Sequence, residues 1–129
     1  RGSRNYWKGS DMKHLILALA LILPLSVGAY DPEDLKKLEK TNKCPECDLS
    51  KAFLLMSKLE WADLNGANLE GANLKGANLS DANLEWANLK KANLKGADLK
   101  GAKIEFATMK GAILCNTTMP DGTKDNSGC

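Results

Sequence analysis

Two cysteines three apart, in Cys44-Pro45-Glu46-Cys47, are the residues best placed for chemistry, because that spacing can form a dithiol redox centre. Two more, Cys115 and Cys129, lie near the end of the 129-residue chain. A redox pair of this kind sits in a strand–helix–strand unit, with a helix starting at the first thiol to lower its pKa. Neither pattern surrounds Cys44. Four cysteines otherwise read as two disulfides with three possible pairings. Hydrolytic chemistry is poorly supplied as well. The single histidine is His14, so a chain starting at Tyr30 has no imidazole to activate Ser50, Ser57, Ser80 or Ser127. The acids Asp81, Glu85 and Glu105 are expected on a convex surface and not in a pocket. No catalytic residue, cofactor site or metal site is expected, and the chain reads as a non-enzyme. Asn116-Thr117-Thr118 matches a glycosylation sequon, which matters only in a host that glycosylates.

The segment that carries His14 has its own logic. Met12-Lys13-His14 is a short basic head, Leu15 to Leu23 is wholly apolar, Pro24 breaks the run, and small residues end in Val27-Gly28-Ala29. These are the zones of a secretory signal over residues 12–29, with cleavage after Ala29. The apolar stretch is shorter than the roughly 20 residues a membrane span needs, so no membrane anchor is expected after cleavage. Residues 1–11 read as an upstream extension or a cloning remnant. The expected destination is periplasmic or secreted, where disulfides persist. Of 18 Lys and Arg, four precede Tyr30, and so does one of 16 acids, which leaves 14 basic against 15 acidic residues. That balance offers no field for phosphates, so nucleic acid is not an expected partner. Opposite charges are expected to be interspersed over a solvated surface.

The cysteines must be positioned by what lies between them, and that stretch has a five-residue period. Alanine recurs at every fifth position from Ala62 to Ala112. Leucine follows two residues later at Leu64, Leu69, Leu74, Leu79, Leu84, Leu89, Leu94 and Leu99, continued by Ile104, Met109 and Leu114. Asn or Asp stands between them in the eight leucine units. A single helix would smear these leucines around its cylinder, and a flat strand would alternate them between faces. A short straight side followed by a corner satisfies the pattern. Ala and Leu then point to one axis, and Gly66, Gly71, Gly76, Gly96, Gly101 and Gly111 suit the corners. Repetition of this kind means a solenoid.

Tandem A(D/N)LXX units resemble the pentapeptide repeat family, and the resemblance extends to the flanks KCPECDLS (43–50) and CNTTMPDGTKDNSGC (115–129). It implies an all-β solenoid: a right-handed quadrilateral β-helix with four pentads per coil and coils stacked at roughly 4.8 Å. Residues 47–116 form the body, with about 3–4 coils if the count runs from Cys47 to Asp121. AFLLM (52–56) and SKLEW (57–61) keep the register loosely, so the first coil is expected to be distorted or partly helical. Residues 30–46 are a cap whose Asp31-Pro32-Glu33-Asp34 starts a short helix, expected to cover Phe53, Leu55 and Met56. Residues 117–129 are a capping tail. With the implied stacking, Cys44 and Cys47 sit several coils from Cys115 and Cys129, beyond bridging distance. The expected pairs are Cys44–Cys47 and Cys115–Cys129, and a shared zinc site is excluded.

Twenty-residue stacking also places Trp86 over Phe106, with Trp61 on an adjacent side, and these three are the candidate partner contacts. The function expected is a monomeric structural or interaction module of the cell envelope, with an unknown protein or glycan as partner. The alternative is borrowed from relatives that mimic duplex DNA and bind topoisomerases. It needs a long acidic rod, whereas residues 57–116 carry eight Lys and seven acids.

Overall fold

The computed structural model describes residues 29–129. The extension expected over 1–11, and the signal expected over 12–29 apart from its last residue, lie outside the described residues. Parallel bridges join residues 20 apart in four columns. Side A stacks Lys43, Asp63, Asn83 and Lys103; side B stacks Asp48, Asn68, Asn88 and Thr108. Side C stacks Phe53, Asn73, Asn93 and Ile113, and side D stacks Lys58, Asn78, Asp98 and Thr118. Each pentad is one side, and each side ends in a corner of the same letter. A side is so short that one residue is bridged before the chain turns, which is why the body carries isolated bridges where longer sides would carry strands. The ladder begins at Lys43, one pentad before the Cys47 start read from the sequence, and it runs on to Thr118.

The first coil is as regular as the rest, which corrects the expected distortion. Phe53 and Lys58 are bridged to Asn73 and Asn78, and Ala52, Leu54 and Leu59 are buried. AFLLM and SKLEW work because the axis reads only the first and third positions, and those are Ala52, Leu54, Ser57 and Leu59. From Ala62 to Leu99 every alanine and every leucine of the columns is fully buried or within 1% of it. Each such leucine contributes roughly 1.5–3 kcal/mol.

Backbone geometry explains the other positions. From Glu46 to Asn116 the fifth residue of each pentad takes a left-handed conformation, as at Gly76 with φ 69°. A side chain there would run into Met56 Sδ, so Gly76 answers both a conformational and a steric need. The second-position Asn and Asp are corner clips. The Oδ1 of Asn68, Asn78, Asn83 and Asn93 each accepts the N–H two residues on, at 3.0 Å, as an Asx turn does. Among the described residues, asparagine side chains of successive coils meet once, Asn88 Nδ2 donating to Asn68 Oδ1 at 3.4 Å.

Both ends are closed by local structure. Helix α1 (Pro32–Thr41) starts at Asp31, whose side chain accepts the Glu33 N–H at 2.8 Å. It ends at Asn42, with φ 59°, whose N–H donates to Leu38 O at 2.8 Å. Leu38 enters the core, the Asp34 carboxylate accepts the Asp48 N–H at 2.8 Å, and the Asp31 N–H donates to Asp48 O at 2.9 Å. These contacts satisfy the upper edge of side B. The helix does not cover Phe53, Leu55 or Met56, which stay 71%, 41% and 69% exposed. The reason is positional: those three point outward from side C and its corner, while the helix plugs the axis.

At the far end, β1 (Thr117–Thr118) pairs antiparallel with β2 (Lys124–Asp125), and the Gly128 N–H donates to Leu114 O at 2.7 Å. Thr117 takes an alanine position and is fully buried, with its hydroxyl donating to Leu94 O at 2.7 Å. Hydrogen bonds from Thr123 and Ser127 hold the Asp121 and Asp125 carboxyls below the ordinary aspartate pKa. Disulfides join Cys44 to Cys47 and Cys115 to Cys129, with Cα atoms 5.3 and 4.8 Å apart. Cys44 stands in the leucine column and Cys47 in the alanine column, both buried, so that bridge is part of the core. The bridge ladder, the caps and both disulfides all lie between Tyr30 and Cys129.

Candidate interaction surface

The outward positions decide what the molecule can touch. Fourth and fifth residues of each pentad form the corners, and second residues such as Phe53 and Ile113 also point away from the axis. Trp86 and Phe106 occupy successive fifth positions of corner A and stack with ring centroids 4.4 Å apart and an interplanar angle of 16°. Both remain open to solvent, at 63% and 70% exposure. Trp61, at corner D, is 73% exposed and lies in register above Asp81. All three hold left-handed backbones, with φ of 62°, 63° and 62° for Trp61, Trp86 and Phe106. Bulky residues reach this region at a cost of about 1–2 kcal/mol, which glycine at the same corner avoids. The stack offsets part of that cost for Trp86 and Phe106. Trp61 has no aromatic above or below it in its column, since Asp81 and Gly101 follow.

At the corners charge is sorted by sign, while the sides still mix it, as with Lys43, Asp63 and Lys103 on side A. Corners A and D carry the acids Glu46, Glu60, Asp81, Glu85, Glu105 and Asp121, against one lysine, Lys100. Corners B and C carry Lys51, Lys75, Lys90, Lys91, Lys95 and Lys110, against one acid, Glu70. Side A lies between the acidic corners and side C between the basic ones. The aromatics therefore sit on the acidic half. Linear reading hides this, because successive pentads belong to different corners and mix the signs along the chain.

The cysteines that opened the question of chemistry are consumed by the two bridges, and no cysteine is free among the described residues. Among those residues, too, no cluster of three or more His, Cys, Asp or Glu is placed to hold a metal ion. A groove of about 490 Å³ lies between the end of α1 and the first coil, lined by Leu38, Phe53, Leu54, Leu55 and Leu59 among others. Sequence reasoning did not anticipate it, because it depends on where the helix stops.

Comparison with known proteins agrees with this geometry. The family model described as pentapeptide repeats matches residues 46–81 and 77–118, with 8 copies. No curated protein matches the chain. The crystal structure of a pentapeptide repeat protein from the cyanobacterium Cyanothece 51142 is 46% identical, with a TM-score of 0.54 over 54% of this chain and 48% of that one. HetL, a pentapeptide repeat protein involved in heterocyst differentiation regulation in Nostoc sp. strain PCC 7120, is 34% identical over 64% of this chain and 43% of its own, with a TM-score of 0.39. The chain thus spans about half the length of these two structures.

Proposed function

Since the chain belongs to the pentapeptide repeat family, we propose that it is a non-enzymatic, exported interaction module of the cell envelope, periplasmic or secreted. In this reading the coils wind right-handed into a quadrilateral β-helix, as the family resemblance implies, and serve as a rigid monomeric support. Its working surface is the edge that carries Trp86 and Phe106, with Trp61 one corner away, and its partner is a protein or a glycan. The observation that carries the reading is the stacked pair itself. Two large aromatic rings are stacked and open to solvent at positions where glycine would fold more easily. Rigid exposed aromatics supply large contact area at small entropic cost, so they dominate binding energy where they occur. Topoisomerase binding by DNA mimicry is not favoured, because the basic corners B and C interrupt any continuous acidic surface.

The test compares the chain from Tyr30 with its Trp86→Ser and Trp61→Ser forms in capture from envelope extracts. A partner retained by the native surface should be lost from Trp86→Ser, with an affinity loss of about 2 kcal/mol or more. Equal recovery on all three forms would reject the aromatic edge as the working surface. An exported species whose intact mass still includes residues 12–29 would reject the signal.

A further inference from the structure

Side C and its two corners combine features that the aromatic edge lacks. Six lysines, Lys51, Lys75, Lys90, Lys91, Lys95 and Lys110, frame this side, and all six are exposed. The same half carries every large exposed apolar side chain among the described residues other than Trp61, Trp86 and Phe106. These are Phe53, Leu55 and Met56 at the first coil and Ile113, 40% exposed, at the last. Apolar residues that the helix cap leaves bare thus stand beside lysines whose charge no corner neighbour but Glu70 offsets. Basic side chains with apolar ones among them are what an anionic bilayer surface takes up: the lysines sit at headgroup level and the apolar side chains enter the acyl boundary. A soluble polyanion would use the lysines and leave Phe53 and Met56 without a role. Among the described residues no helix is long and apolar enough to cross a membrane, so the contact would be peripheral.

We propose that side C docks on an anionic lipid surface, with Lys75 and Lys95 along its corner C and Phe53 and Met56 inserted. The opposite half, with Trp86 and Phe106, then faces away from the lipid. The proposal is independent of what the aromatic edge holds, since the two surfaces share no residue.

The experiment is flotation of the chain from Tyr30 with vesicles of equal parts phosphatidylglycerol and phosphatidylcholine, against pure phosphatidylcholine, in about 0.1 M salt. The apolar run Leu15–Leu23 is left out because it would bind lipid by itself. Binding is expected on the anionic vesicles and not on the zwitterionic ones. Each lysine near such a surface is worth about fivefold, so Lys75→Glu with Lys95→Glu should weaken binding by about 25-fold or more. Lys100→Glu with Lys103→Glu makes the same change in net charge on the other half and should alter binding by less than about threefold. Phe53→Ser with Met56→Ser should weaken it by about tenfold. All these positions point outward, and thermal melts confirm that each variant is folded. Equal losses from the two charge-reversed pairs would overturn the docking face. Retention of full binding by the Phe53/Met56 variant, with equal affinity for a soluble polyanionic polysaccharide, would overturn the lipid and leave a polyanion site.

Discussion

Position within the pentad fixes the fate of each residue, and adjacent residues can differ completely. Leu84 lies on the axis of a middle coil with no exposure, while Glu85 stands at corner A. Leu84→Lys puts an unpaired charge among apolar neighbours and should cost more than about 4 kcal/mol, whereas Glu85→Lys should stay within about 0.5 kcal/mol. Equal melting temperatures for the two would show that the inward and outward positions are misassigned. The leucine and alanine columns were legible in the sequence because burial imposes the period directly. The role of the asparagines was not. Their Oδ1 atoms serve the N–H two residues on, and that bond exists only once a corner has formed, as between Asn83 and Glu85 at 3.0 Å. Cys44 was hidden for a related reason: it replaces a leucine on the axis, and an identity search for leucine passes over it.

The elements at the two ends do the work that further coils would do in a longer solenoid. The tail is held by the Cys115–Cys129 bridge, by the pairing of β1 with β2, and by the Gly128 N–H on Leu114 O. Beneath it Ile104, Met109, Ala112 and Leu114 are only partly buried. Cys115→Ser with Cys129→Ser should therefore lower stability by up to about 3 kcal/mol on the loop-entropy account and release this apolar end. Sedimentation should then show monomers for the oxidised native chain and concentration-dependent oligomers for the variant. A variant that remains monomeric and equally stable would mean that the bridge is not a cap. A helix at residues 31–41 could be read from Asp31 and Pro32. Where it docks could not, because that is set by the opening of the axis and by the Asp48 backbone groups that need partners, not by the exposed apolar side chains nearby.

For the molecule as a whole, two registers run together: the axis repeats every five residues and the surface every 20. Deleting Ala87–Lys91 removes one pentad and should leave a folded chain, because every downstream alanine and leucine still meets the axis. It should also carry Phe106 back to corner D, away from Trp86, and so abolish the near-ultraviolet circular dichroism of the stacked pair. Deleting Asn88–Lys91 instead puts the downstream leucines out of phase and should unfold the chain. If both deletions melt alike, the two registers are not separable. What separable registers mean for descent is considerable. A gene that gains or loses fifteen nucleotides in this region keeps a viable product and reassigns which side chains share an edge. Lineages of such chains can therefore drift by quarter turns, trading one molecular exterior for another in a single event, while point substitutions on the exterior change one site at a time.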